Sequence, residues 1–211
     1  MNRCLAFILV LVWATLPAAA QPSLTLDDVR TAYRALDGLE ATFTQVVGSD
    51  FSEDSTRIEG SVTLSGDRYR VETPGQVVVT DGATTWIYTP ADSQVVVDDA
   101  DTEEGPITPE TFLEASAEQY EVTEREKDAS EDTSHVVLSL TGTSEDARFQ
   151  KASLWVRRSD RVVTRLRAVD RDGATFSLRL QDIQKDPAIA DTTFSFSPPE
   201  NTEVVDLRKG E

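Results

Sequence analysis

After an apolar run at the amino terminus, apolar residues first recur at helical spacing. They are Leu26, Val29, Tyr33 and Leu36. Residues three or four apart lie on one face of an α-helix, so this period predicts a helix with one apolar side. Thr25 with Asp28 can form a capping box at its start, and Gly38 can end it. The pattern predicts one amphipathic helix ahead of the rest of the domain.

The period then changes to two, which is typical of half-buried β-strands. The alternating apolar residues are Leu39, Ala41, Phe43, Ile58, Val62, Leu64, Tyr69, Val71, Trp86, Tyr88, Val95, Val97, Val136, Leu138, Leu140, Leu154, Val156, Leu166, Ala168, Phe176, Leu178 and Leu180. Between them, Asp81-Gly82 and Asp172-Gly173 have the residues that tight turns need. These segments predict about ten strands of an antiparallel meander with one apolar face.

A second short helix is predicted where Thr108 and Pro109 precede Phe112 and Leu113, because proline is favoured in the first turn of a helix. Two helices are few for covering the apolar face of so many strands. We therefore predict a mainly β fold, an incomplete antiparallel β-barrel (half-barrel) covered by short α-helices, with apolar space between them.

Alternation should send six apolar side chains of the first strands to one face of this sheet. They are Phe43, Val62, Tyr69, Val71, Trp86 and Tyr88. In a half-barrel such residues can line a cavity, whereas in a closed sandwich they are ordinary core. The pattern leaves both interpretations open for the aromatic residues, Phe176 included. For Phe194 and Phe196 it favours core.

The first twenty residues have the features of a cleavable signal peptide. Arg3 precedes an apolar run from Leu5 to Leu16, which is short for a membrane span, and Ala18-Ala19-Ala20 forms a small-residue cleavage site. We expect residues 1–20 to be a signal peptide and residues 21–211 to form a single domain in the periplasm. Cys4 would leave with the signal peptide, so the mature chain should have no disulfide.

The chain is strongly acidic, with 38 Asp and Glu against 20 Lys and Arg and a formal net charge of −18. Such a surface disfavours nucleic acid and anionic membranes. The balance also favours a protein that works at high salt, where self-repulsion is screened. The alternative interpretation of the same composition is an ordinary acidic secreted protein.

The residues offer little for catalysis or for a metal. His135 is the only histidine, and alternation points it away from the apolar face, so a zinc site or a nucleophilic pair lacks partners. The acidic run from Asp98 to Glu104 has Glu104 where a calcium loop needs glycine, so we expect a solvated loop. Gly-x-Ser-x-Gly and Gly-rich phosphate motifs are missing from the sequence. We predict no enzyme, no metal and no cofactor.

Arginines cluster on one predicted hairpin. They are Arg157, Arg158, Arg161, Arg165, Arg167 and Arg171. Asp160, Asp170 and Asp172 are close in sequence, which favours an outward face with weak ion pairs. The alternative is a docking patch for a partner protein, where positive charge would steer association.

Four motifs occur in one order along the chain: Phe43-Thr-Gln45, the segment Gly60 to Val71, the segment Thr80 to Pro90, and Phe194-Ser-Phe-Ser-Pro-Pro-Glu200. Together they resemble the LolA family of outer-membrane lipoprotein carriers, over roughly Leu26 to Arg208. The resemblance implies an incomplete barrel closed by helices, whose cavity holds the acyl chains of lipoproteins. It also implies a carrier that takes lipoproteins from an inner-membrane transporter and passes them to an outer-membrane acceptor, without a cofactor. We expect it to act as a monomer.

On this resemblance the acyl cavity would be lined by Phe43, Val62, Leu64, Tyr69, Val71, Trp86 and Tyr88. The lid would consist of Val29, Tyr33, Leu36, Phe112 and Leu113. In the family, a loop arginine with an aromatic residue a few positions on helps hold the lid shut. Here that loop reads Ser65-Gly66-Asp67, so the arginine is not in its place. Arg68 is adjacent and is assigned to lid control, with Tyr69 as the aromatic residue.

Two other functions fit the same sequence. One is a binding or sensor module of the same fold for another amphiphile. The second is a hydrolase with carboxylate chemistry on the barrel rim, for which the sequence offers no evident pair.

Overall fold

The computed structural model of this protein describes residues 24–49, 51–100, 113, 119–125, 134–145 and 147–208. Helix α1 spans Leu26–Arg34, and short 3₁₀ turns span Pro90–Asp92 and Asp191–Phe194. The strands are β1 (Leu39–Ser49), β2 (Ser52–Ser65), β3 (Arg68–Glu72), β4 (Val77–Thr80), β5 (Thr84–Thr89), β6 (Gln94–Asp99), β7 (Tyr120–Arg125), β8 (His135–Gly142), β9 (Phe149–Arg157), β10 (Val163–Asp170), β11 (Ala174–Lys185) and β12 (Glu203–Asp206).

All of these strands belong to one sheet in the order β12-β6-β5-β4-β3-β2-β1-β11-β10-β9-β8-β7. Neighbouring strands are antiparallel, except that β12 pairs with β6 in parallel. The sheet is not closed into a barrel, because β12 and β7 lie at its two edges. The predicted mainly β, incomplete antiparallel barrel with few helices is confirmed.

Helix α1 begins as the sequence predicts. The backbone N–H of Asp28 donates to the Thr25 hydroxyl at 3.2 Å, and the backbone N–H of Thr25 donates to the Asp28 carboxylate at 2.9 Å. The two bonds form a capping box, which satisfies donors that a helix start leaves unpaired. The helix ends at Arg34, so Leu36 lies beyond it. The second predicted helix lies outside the described residues except for Leu113, which is helical and buried.

The main core lies between α1 and one face of the sheet, here called the core face. Val29 of the helix is completely buried. The sheet contributes mostly aliphatic residues from β1 to β3 and from β8 to β11. Its members include Leu39, Ala41, Phe43, Val62, Val71, Leu138, Leu140, Leu154, Leu166, Leu178 and Leu180. Their alternation is the one that the sequence predicts for those strands.

The strand register separates the predicted aromatic residues of β5 from this core. Val71 pairs with Val78, and Val78 pairs with Ile87. Paired residues of antiparallel strands share a face, so Ile87 lies on the core face. Its neighbours Trp86 and Tyr88 lie on the opposite, outer face. The prediction that they share a face with Phe43 and Val62 is wrong.

A second apolar cluster explains this difference. On the outer face of β4 to β6, Val79, Val95 and Val97 are buried, and so is Phe194 in the second 3₁₀ turn. The chain after β11 therefore covers the outer face at this end of the sheet. Strands with apolar neighbours on both faces lose a clean alternation, which is why the sequence pattern alone did not separate the two sides.

Candidate functional site

A cavity of about 350 Å³ lies between α1, the start of β1 and the β2–β3 hairpin. Its lining combines leucines with polar and charged residues. The lining residues are Arg30, Tyr33, Arg34, Leu36, Gly38, Leu39, Leu64, Ser65, Gly66, Asp67 and Leu113. Small-molecule sites in proteins measure roughly 300–1,000 Å³, so this cavity is at the small end of that range.

Several residues of the predicted lid meet at this cavity. Tyr33, Leu36 and Leu113 line it, whereas Val29 is buried in the core beneath the helix. Phe112 lies outside the described residues. The Tyr33 hydroxyl accepts a hydrogen bond from the backbone N–H of Val163 at 3.2 Å, so the helix is also fastened to the start of β10.

The predicted cavity residues of the sheet fall into three groups. Leu64 lines the cavity. Phe43, Val62 and Val71 are buried in the main core and are not part of this cavity's lining. Tyr69 is half-buried against the same core, and burial raises the pKa of its hydroxyl.

Trp86 and Tyr88 form the third group, on the outer face of the sheet. The ring of Tyr88 packs against Phe196, with 5.8 Å between the ring centroids. Both side chains are half-buried. They lie on the side that the chain after β11 covers and are separated from the cavity by the thickness of the sheet.

Arg68, the residue assigned to lid control, contacts the second 3₁₀ turn. Its guanidinium pairs with the Asp191 carboxylate at 2.9 Å and lies 4.7 Å from the centre of the Phe194 ring. It also donates a longer bond, of 3.4 Å, to the Ser65 hydroxyl. In this state Arg68 fastens the second 3₁₀ turn to the outer face of β3.

Arg30 connects helix α1 to Leu113, and the sequence reasoning missed this contact. Its Nε donates to the carbonyl oxygen of Leu113, and its Nη1 pairs with Asp27 at 2.6 Å. Its side chain is only 18% exposed. Its place in the sequence could have identified it, because Arg30 directly follows Val29 and so lies next to the apolar stripe of a short amphipathic helix. A long cationic side chain at such a position can reach across the edge of the helix to a neighbouring segment.

This arrangement suits binding more than reaction chemistry. Leucine side chains supply apolar surface in the cavity. Arg34 and Asp67 are exposed at its edge, whereas Arg30 is mostly buried. Among the described residues, no group of three or more His, Cys, Asp or Glu side chains could hold a metal ion. Within the same ranges, no helix is both long enough and apolar enough to cross a membrane.

Comparison with known proteins identifies a family for this chain. The family model described as "Outer membrane lipoprotein carrier protein LolA" matches residues 34–197. A protein of Dechloromonas aromatica (strain RCB) named outer-membrane lipoprotein carrier protein is 28% identical over 197 residues, which is 92% of each chain. A protein of the same name from Xanthomonas campestris pv. campestris (strain B100) is 29% identical over 185 residues, covering 84% of this chain and 86% of the relative.

Solved structures show the same fold at low sequence identity. An uncharacterized conserved protein from Thermus thermophilus superposes with a TM-score of 0.55 at 15% identity. The match covers 86% of this chain and 96% of that one.

Proposed function

Because this chain belongs to the LolA family of outer-membrane lipoprotein carrier proteins, we propose that it carries lipoproteins by holding their acyl chains in the cavity under helix α1. It acts without catalysis and without a cofactor. It works in the periplasm after removal of residues 1–20, as a single domain and a monomer. It takes its cargo from an inner-membrane transporter and delivers it to an outer-membrane acceptor.

The observation that carries this proposal is a leucine-lined cavity whose wall is a short helix. Leu36, Leu39, Leu64 and Leu113 supply apolar surface around about 350 Å³ of space. Arg34 and Asp67 also line the cavity and are exposed, so they stand where an acylated cysteine and the rest of the lipoprotein would emerge. A carrier needs this combination, because it must bury hydrocarbon and leave the protein part of its cargo in water.

Cargo entry requires α1 to separate from the segment that contains Leu113. The free energy gained by burying an acyl chain is large enough to offset the contacts that are lost. Breaking the Arg30 bond to Leu113 costs about 1.5–3 kcal/mol. Each methylene buried from water contributes about 0.8 kcal/mol. A short stretch of one acyl chain therefore offsets the loss of this bond, and longer stretches enlarge the cavity by moving α1 away from the β2–β3 hairpin.

A fluorescent acyl probe tests this proposal. Leu64→Glu places a charge on the cavity wall and should abolish probe binding, because an unpaired charge is costly in an apolar site. Leu207→Glu is the matched control, since Leu207 is 57% exposed and is not part of the cavity lining. Both variants must keep a native thermal melt. Wild-type protein that binds no acylated ligand at micromolar concentration would remove the basis of the carrier role.

A further inference from the structure

A cleft of about 380 Å³ crosses the outer face of the sheet, on the side away from the acyl cavity. It lies on β1, β2, β10 and β11. Its lining residues are Thr44, Val46, Arg57, Arg165, Ser177, Leu178, Arg179 and Gln181. We call it the arginine cleft, after Arg57, Arg165 and Arg179.

The register of the sheet brings two of these arginines together. Arg165 of β10 is the direct cross-strand partner of Arg179 of β11, and Thr44 of β1 pairs with Arg179 from its other side. Like charges placed directly opposite each other destabilise a sheet. The chain has 38 Asp and Glu residues, yet neither of these positions carries one. This cost is offset if a bound anionic group lies between the two guanidinium groups.

Carboxylates neutralise other arginines close to this pair. Arg157, on the same hairpin as Arg165, is held by Asp160 at 2.8 Å. Arg57, at the rim of the cleft, pairs with Glu59 at 2.8 Å. Within the described part of the chain, neither Arg165 nor Arg179 forms a salt bridge. Of the arginines on this hairpin, Arg157 forms an ion pair, as one interpretation of the sequence predicted. Arg165 fits the other interpretation, a docking patch for a partner protein.

Arg165 is also held in place. Its guanidinium lies 4.4 Å from the centre of the Trp155 ring, and a ring stacked on one face leaves the N–H groups at the edge free. Two of these N–H groups can donate parallel hydrogen bonds to the two oxygens of one carboxylate. Thr44, Ser177 and Gln181 add neutral donors around it.

We infer that the arginine cleft docks an extended acidic segment of a partner protein. Side chains on one face of an extended segment lie about 6.8 Å apart, and neighbouring strands of a sheet lie about 4.8 Å apart. Because arginine side chains are long, Arg165 and Arg179 on adjacent strands can contact two successive carboxylates on that face. A membrane is the weaker occupant, because a flat anionic surface would also meet the rest of a chain whose net charge is −18. The cleft and the acyl cavity lie on opposite faces, so partner and cargo can be held together.

The test uses a short fluorescein-labelled peptide in which Glu alternates with Ser, and the same peptide with Gln in place of Glu. The full mature protein should bind the Glu peptide and not the Gln peptide. Arg165→Gln with Arg179→Gln should weaken binding at least about tenfold. Arg158→Gln, which removes an exposed charge outside the cleft, should change it less than about twofold. Arg165→Lys should bind more weakly than wild type, since lysine lacks the planar fork.

Native melts and unchanged binding of the acyl probe show that the cleft variants are folded and that the cargo site is separate. The inference is overturned if the Glu peptide does not bind, or if the double variant binds it as wild type does. Equal binding to phosphatidylglycerol vesicles or to inorganic phosphate overturns it in favour of a phosphate ligand. Self-association in sedimentation that the double variant abolishes overturns it in favour of a second copy of this chain.

Discussion

Gly60 of β2 lies directly opposite Phe43 of β1, and the absence of a side chain there lets the ring lie over the backbone. A Cβ at this position would overlap the carbonyl oxygen of Glu72 and lie 2.8 Å from Cζ of Phe43. The backbone oxygen cannot move without disturbing the pairing of β2 with β3. The packing of Phe43 on the core face thus requires glycine at position 60, because any Cβ there would clash.

Gly60→Ala should lower the free energy of unfolding by about 1–3 kcal/mol, the usual cost of overpacking a core. Gly75→Ala is the control, because a Cβ there meets nothing within 4 Å, and it should stay within about 0.5 kcal/mol of wild type. Urea denaturation of both variants checks this. Equal stability of the two variants would contradict the packing described for Phe43.

Asp160 is the residue whose ionisation matters most for the β9–β10 turn. Two bonds from the Arg157 guanidinium, helped by the Val162 N–H and by Lys185, lower its pKa from 3.8 to about 2. The fold therefore favours the ionised form. Its contribution is complete above the unfolded pKa, near pH 4, and is lost as the pH falls through about 2.

Asp160→Asn should accordingly cost roughly 1–2 kcal/mol at neutral pH, after a reduction for partial exposure to solvent. The difference from wild type should shrink as the pH falls below about 4. Denaturant melts across this range measure it, with the exposed Asp92→Asn as control. A difference that persists unchanged near pH 2 would show that the carboxylate charge is not the cause.

Helix α1 has only nine residues, and its stability depends on its contacts with the rest of the molecule. So short a helix is marginal in isolation. Buried Val29, the Tyr33 hydroxyl and the bond from Arg30 to Leu113 hold it against the sheet. The last of these contacts joins the helix to Leu113.

Arg30→Gln should loosen α1, because the neutral side chain makes a weaker bond to Leu113. We expect faster amide hydrogen exchange across Leu26–Arg34 with little change in the β-strands. Arg34→Gln is the control, since Arg34 is exposed on the same helix. Exchange that is equal in the two variants would rule out the Arg30 bond to Leu113 as a main source of stability for α1.

The sequence predicted elements better than it predicted faces. Thr25 and Asp28 mark the helix start by local chemistry, and alternation marks the strands of the main core. At β4 to β6 both faces are apolar, so nothing local distinguishes Ile87 from Trp86. The face of each residue is set by the pairing of β5 with β4 and of β4 with β3, and by Phe194, which covers the outer face. These contacts join residues that are far apart in the chain. The bond from Arg30 to Leu113 is equally non-local.

The strong negative charge affects the stability of the protein as a whole. A net charge of −18 repels itself within one compact chain, and it would be one unit more negative without Arg3. The Debye length falls from about 10 Å at 0.1 M salt to about 3 Å at 1 M, so molar salt screens most of this repulsion. The thermal midpoint should rise between low and molar salt, and an unchanged or lower midpoint would contradict the prediction.

The proposed function requires acyl chains to occupy the cavity under α1. Crosslinking tests it most directly, with a diacylated lipopeptide that carries a photoreactive group near the end of one chain, followed by mass spectrometry of the labelled residues. We expect labels on the cavity lining, at Leu36, Leu39, Leu64 or Leu113, and their loss in Leu64→Glu. Labels confined to the outer face around Trp86 and Tyr88, or no specific labelling of the folded protein, would contradict it.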